Sequence, residues 1–217
     1  QTTNYKLKTA PLVLPIFTDI KKIQETNPIF DLKQKYPDWH FIILVVARLS
    51  YEKNVSEALD IMSGLMRNYP RIGMVIVGDG PLKESLKSKV KSQKLENNVV
   101  FEGRQEDVIS YYKTAHLFIQ TSLYEGFGLA LLEAVASGCP AVSSDVGIAK
   151  ELLSYPDQQF VCPVGDTECF VGLISRFIED NRLRELFSLD IAPIAIGQFT
   201  QSKEAYLKAY KETFNSL

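Results

Sequence analysis

Two glutamates bracket a glycine-rich turn in TSLYEGFGLALLE (residues 121–133), and the turn opens an apolar helical run. Glu125 stands just before that helix. Glu133 lies on it, about five residues in and so roughly 7–9 Å along its axis. The first amides of a helix lack intrahelical partners and, with the helix dipole, make a site for an anion. Gly126 and Gly128 are small enough to let a phosphate approach the backbone there. Carboxylates beside a phosphate repel it, so this pair makes sense where hydroxyls satisfy both acids. A nucleotide sugar has that layout: sugar, two phosphates, ribose. The plainer alternative for Glu133 is a solvated helix residue, but it sits in the otherwise apolar ALLEAVA, where a charge needs a partner or a ligand.

Three other stretches carry residues suited to the same ligand. ARLSYEKN (47–54) supplies Arg48 and Lys53, an arginine able to grip a diphosphate by paired hydrogen bonds and a lysine acting as a point charge. Such a pair is equally at home as solvated surface charge. VGDGP (77–81) contains Gly78 but lacks the third glycine of the dinucleotide fingerprint, which argues against nicotinamide chemistry and leaves a tight turn as the simpler reading. In FEGR (101–104), Gly103 permits close backbone approach and Arg104 could lie over a flat base, although a surface loop explains it as well.

These stretches follow strand-like segments. FIILVVA (41–47) is a continuous apolar run of the kind expected for a strand covered on both faces. MVIVGDG (74–80), NVVF (98–101), HLFIQ (116–120) and PAVSS (140–144) are further strands, each with helical periodicity beside it. Val55, Ala58, Leu59, Met62, Leu65 and Met66 form one helical stripe, and Asn54 with Glu57 resembles a capping box at its start. Pro81 suits the first position of a helix reaching about Leu95, and Asp166 can cap a helix with Phe170, Leu173, Ile174, Phe177 and Ile178 on its inner face. Alternation of this kind predicts an α/β fold, a Rossmann-like doubly wound parallel sheet. In such a sheet ligands sit beyond the carboxyl ends of the strands, where all four stretches fall.

The 217 residues carry a formal net charge of −2, so no basic field points to nucleic acid. No apolar run approaches the roughly 20 residues of a membrane span. Cys139, Cys162 and Cys169 form no metal-ligand pattern, and their odd number suggests reduced, mostly buried thiols in a cytosolic protein. His40 and His116 flank strands without a catalytic arrangement and are read as structural. No Asp-x-Asp triad is present to hold a divalent ion. The chain begins with Gln rather than Met, which suggests a processed chain or a piece of a longer one.

VVARLSYEKN, IVGDGPL, VVFEGR, LFIQTSLYEGFGLALLEAVASGCPAV and SSDVGIAKELL occur in an order that resembles the carboxyl-terminal, donor-binding half of a GT-B-fold glycosyltransferase of family 4, the "group 1" glycosyltransferases. PLVLPIFTD (11–19) is similar to the segment entering that domain, without the usual Asn-Gly before the Asp. The resemblance implies a lead-in or interdomain segment at 1–40, a nucleotide-sugar-binding domain at 41–198, and a helix at 199–217, with Leu207, Tyr210 and Phe214 aligned, that crosses onto an absent amino-terminal domain. It also implies a retaining transfer from a nucleoside-diphosphate sugar to a glycan or glycolipid acceptor, with no required metal. Arg48 and Lys53 would stabilise the diphosphate leaving group, Glu125 would contact sugar hydroxyls and Glu133 the ribose. The amides of Phe127, Gly128 and Leu129 would bind phosphate or sugar, and Gly103 and Arg104 would lie by the base. A cytoplasmic location is implied, peripheral at the inner membrane face for some full-length enzymes. Without the acceptor-bearing half, the fragment is expected to bind donor weakly and turn over little. Two other readings use the same residues: a glycosidase employing the glutamate pair, and a non-catalytic nucleotide-binding module.

Overall fold

The computed structural model describes residues 18–155, 158–197, 199, 204, 206–208 and 211. Its centre is a six-stranded sheet built from β1 (Phe41–Val46), β2 (Ile72–Val77), β3 (Val99–Gly103), β4 (Leu117–Gln120), β5 (Ala141–Ser144) and an edge strand at Val161–Cys162. Every pairing in it is parallel, and the order from edge to edge is β3-β2-β1-β4-β5 and then Val161–Cys162. The apolar run at 41–46 pairs with β2 from Phe41↔Ile72 to Val46↔Val77, and residues 41–45 are buried. A small antiparallel pair, Ser154–Tyr155 with Gln158–Gln159, precedes the edge strand.

Two short helices, α1 (Ile20–Glu25) and α2 (Leu32–Lys35), come first and bury Ile20, Ile23 and Leu32 against the domain. The helices that follow are α3 (Val55–Leu65), α4 (Lys83–Ser92), α5 (Ile109–Thr114), α6 (Leu129–Ala136), α7 (Ala149–Leu153), α8 (Thr167–Glu179), α9 (Asn181–Leu186) and, beyond a π-helical turn at Phe187–Ile191, α10 (Ala192–Gly197). Because β1 continues to β2 on one side and lies beside β4 on the other, the strand order reverses between β1 and β4. That reversal is where an open α/β sheet has its ligand crevice.

Most sequence expectations hold within a residue or two. Asp166 caps α8 by accepting from the Cys169 amide at 2.9 Å, and Phe170, Ile174 and Phe177 are buried. Three expectations need correction. Pro81 is not the first residue of α4: Gly80 packs on the Leu49 backbone and the Leu82 amide donates to the Leu49 carbonyl at 3.0 Å, so the chain turns before it winds. Asn54 and Glu57 are not a capping box. Asn54 is left-handed (φ 45°) and makes no side-chain bond to the helix backbone; its amide donates to the Glu57 carboxyl instead. The cysteines are not all reduced, since Cys162 and Cys169 form a disulfide between the edge strand and α8, and only Cys139 is a free, buried thiol. In the expected carboxyl-terminal helix, Glu204, Tyr206–Lys208 and Lys211 are helical and Leu207 is exposed, while Tyr210 and Phe214 lie outside the described residues.

Candidate donor site

A cleft of about 310 Å³ opens at the carboxyl ends of β1 and β4. Its walls are the end of β1 through Arg48, the end of β4 through Ser122, and Glu125 with Phe127 to Ala130, Gly126 between them lying outside the lining, and Lys53 reaches in from the side. Each wall has a local cause. β1 ends when the Ala47 and Leu49 amides turn to the carbonyls of Val77 and Asp79, which leaves Arg48 exposed at the rim. A 3₁₀ turn at Tyr51–Lys53 follows, and the Leu123 amide donates to the Glu52 carbonyl at 2.8 Å, joining this turn to the loop after β4.

The floor is the amino end of α6. Gly128 precedes it in a conformation open to glycine (φ 106°), and no side chain caps the helix. The first intrahelical bond is Leu132 to the Gly128 carbonyl, so the amides before it face the cleft without a helical partner. The carbonyl of Phe127 is held by the Ile148 amide at 2.9 Å. Gly147, at φ 56°, fits beneath it because a Cβ there would stand 2.2 Å from the Phe127 oxygen. In SSDVGIAKELL nothing but its place between Val146 and Ile148, after a strand, signals a role for Gly147.

Lys53 and Glu125 meet inside the cleft. The lysine Nζ lies 2.7 Å from both carboxylate oxygens, and Ser122 Oγ donates to Oε1 at 2.8 Å. Their side chains are 24% and 11% exposed, so the pair is largely withdrawn from water. Arg48 makes no hydrogen bond or ion pair with a side chain among the described residues.

Glu133 does not line the cleft wall. It sits one turn beyond Leu129 on α6, and Tyr112, fully buried on α5, donates to its Oε2 at 3.2 Å. Burial raises the Glu133 carboxyl and the tyrosine bond partly offsets this. Gly78, Gly103 and Arg104 are also outside the lining. Gly78 (φ 135°) has a packing reason: a Cβ there would stand 1.9 Å from the Ala47 carbonyl oxygen. Its amide donates to the Gly103 carbonyl at 2.7 Å, and Gly103 (φ 70°) has open space where a side chain would be. Arg104 is exposed at the end of β3. Among the described residues no group of three or more His, Cys, Asp or Glu side chains is arranged to hold a metal ion.

The chain is similar to known proteins in sequence and in fold. The chain is 28% identical over 160 residues to alpha-monoglucosyldiacylglycerol synthase of Streptococcus pneumoniae, covering 70% of this chain and 36% of that protein. It is 29% identical over 153 residues to poly(glycerol-phosphate) alpha-glucosyltransferase of Bacillus subtilis, covering 70% and 23%. The chain thus spans about a third or less of these relatives. The crystal structure of Anabaena HepE in complex with UDP-glucose superposes with a TM-score of 0.79 at 26% identity, over 92% of this chain and 56% of that one. The carboxyl-terminal domain of a group 1 glycosyl transferase from Francisella tularensis shares the fold at 21% identity and a TM-score of 0.71, matched over 97% of its length. Residues 29–188 match the family model for glycosyl transferases group 1. The chain belongs to that family, as a carboxyl-terminal domain of the GT-B fold.

Proposed function

We propose that this domain binds a nucleoside-diphosphate sugar and stabilises the departing diphosphate while the sugar passes, with retained configuration, to an acceptor held elsewhere in a longer enzyme. The observation that carries this reading is the meeting of an uncapped helix end, two cations and a carboxylate in one cleft at the sheet's crossover point. The diphosphate lies on the α6 amides with Arg48 and Lys53 beside it, which neutralises its charge with fixed groups. Glu125 accepts from the sugar hydroxyls, Glu133 from the ribose, and Gly103 and Arg104 border the base. A glycosidase reading fits less well, because both oxygens of Glu125 face Lys53, which leaves that carboxylate poorly placed as a nucleophile or acid. The complex of HepE with UDP-glucose supports uracil as the first base to test.

The test is a thermal-shift series with UDP, GDP and ADP, each with and without its sugar, since a ligand bound only to the folded state raises Tm. UDP should raise it. Lys53→Ala should weaken UDP binding by about tenfold or more, the loss expected for a hydrogen bond between charged groups, while the domain stays folded at the temperature of the measurement. No shift with any of the three at millimolar concentration would overturn the reading.

A further inference from the structure

Behind Lys53 lies a carboxyl that the cleft does not use. Glu57, in the first turn of α3, is only 6% exposed. Its Oε2 accepts from Asn54 Nδ2 at 2.6 Å, whereas Oε1 is buried near the Thr167 side chain, which favours the ionised form without making a hydrogen bond of good geometry among the described residues. Burial and the neighbouring Asp60 raise this carboxyl, with Thr167 and Asn54 opposing and Asp166 adding to the rise. A surface-facing helix position does not explain a carboxyl placed under such cost.

Its partner occupies a junction. Asn54 closes the 3₁₀ turn by donating to the Tyr51 carbonyl at 3.1 Å. Its own carbonyl accepts from the Glu57 amide at 3.0 Å and from Thr121 Oγ1, also at 3.0 Å. Thr121 is buried at the end of β4, one residue before the Ser122 that bonds Glu125. One residue therefore connects the turn bearing Lys53, the start of α3 and the strand end bearing Glu125. That residue is left-handed, a conformation unfavourable for a side chain other than glycine and tolerated best by Asn and Asp.

We infer that Glu57 is a positioning residue for the donor site: by holding the Asn54 side chain it keeps the left-handed junction closed and aims Lys53 into the cleft. The inference rests on the donor-site reading for its chemical purpose, but not for its geometry. Glutamine has the same shape, can accept from Asn54 and places an amide where Oε1 lies. Alanine keeps the helix but removes the latch.

Two measurements on the 217-residue chain test this. UDP affinity should fall about tenfold in Glu57→Ala and stay within about twofold of wild type in Glu57→Gln. Lys53→Ala/Glu57→Ala should bind UDP no worse than Lys53→Ala alone, because two groups acting through one are not additive. The second measurement needs no ligand. A ¹³C-dimethylated Lys53, assigned by its loss in Lys53→Arg, should change its methyl resonances in Glu125→Gln and in Glu57→Ala but not in Glu57→Gln. Unmoved resonances in folded Glu57→Ala, or a further loss of UDP binding in the double variant, would overturn the inference. Resonances that move as expected in a protein that does not bind UDP would sustain the positioning and overturn the donor reading instead.

Discussion

At the amino end of β1, Phe41 stacks on His116 with ring centroids 5.2 Å apart, and the Arg184 guanidinium lies over the Phe41 ring, 5.4 Å from its centroid. Arg184 also donates to the carbonyls of Phe177 and Ile178, and His116 Nδ1 accepts from the Ile42 amide at 3.0 Å. At the carboxyl end of the same strand, Arg48 is exposed and the first amides of α6 have no cap. Among the described residues, Lys53 is paired with the Glu125 carboxylate. One end spends its cationic and aromatic groups on closing the fold, and on the donor-site proposal the other keeps them for a ligand. Substitutions at the amino end should therefore change stability without changing donor affinity, and those in the cleft should do the reverse.

The largest effect expected is at His116. Burial, with Lys33 and Arg184 nearby and Asp31 opposing, lowers its imidazole from 6.5 to about 4. Protonation would also remove the lone pair that accepts from Ile42. The unfolded chain takes up this proton near pH 6.5 and the folded chain only near pH 4. The contribution is therefore complete above pH 6.5, is lost as pH falls towards 4, and is constant below that. Allowing for partial exposure, the loss is about 2–3 kcal/mol. His116→Asn can still accept from Ile42 and cannot titrate there, so its urea-derived stability should lack that slope. A wild-type slope in the variant would assign the acid sensitivity elsewhere.

Gly73 sharpens the same contrast with a somewhat smaller effect. It is the second residue of β2, and a Cβ there would lie 1.9 Å from the Trp39 ring. That indole is stacked on Tyr36 at 4.5 Å between centroids and donates to the Asn97 carbonyl at 3.3 Å. Tyr36 and Lys35 in turn donate to Glu102 on β3. Gly73→Ala must displace the indole, at a cost of about 2 kcal/mol, the usual range for overpacking. UDP affinity measured well below the melting temperature should be unchanged. A matching loss of affinity would mean that the two ends of the sheet are coupled.

How much of this could be read beforehand depended on whether the signal was local. The strands were visible because burial on both faces leaves unbroken apolar runs such as Phe41–Val46, and the glycine-rich start of α6 was visible because a helix start is a short-range event. Lys53 and Glu125 were both chosen from the sequence, but not their contact, which joins residues 72 apart. Asn54 and Glu57 have capping-box spacing, and the left-handed φ that redirects the asparagine is set by the turn before it and by Thr121. Helix α9 carries a weak signal because it buries only Leu183, and α10 because Pro193 and Gly197 break its pattern, although Ala195 and Ile196 are buried. Gly78 was legible as a glycine that mattered, while its crowding against Ala47 depends on the neighbouring strand.

The smallest effect expected is the one that most directly tests whether the cleft is held in reserve. In the unliganded domain Glu125 occupies Lys53 with both oxygens, so a nucleoside diphosphate must take the lysine from it and tolerate a nearby negative charge. Glu125→Gln keeps the shape and the bond from Ser122 but weakens the hold on the lysine. UDP should then bind a few-fold more tightly, about 0.5–1 kcal/mol, in the range measured for ion pairs that are not fully buried. UDP-glucose should lose most of its advantage over UDP, because a neutral amide accepts sugar hydroxyls less strongly than a carboxylate. Separating the two ligands in this way is expected only if the pair is a resting contact that the donor divides. If Glu125→Gln instead weakens UDP as much as Lys53→Ala does, the carboxylate is part of the lysine's scaffold. The polar groups at the carboxyl end of the sheet would then be holding the fold together, just as those at the amino end do.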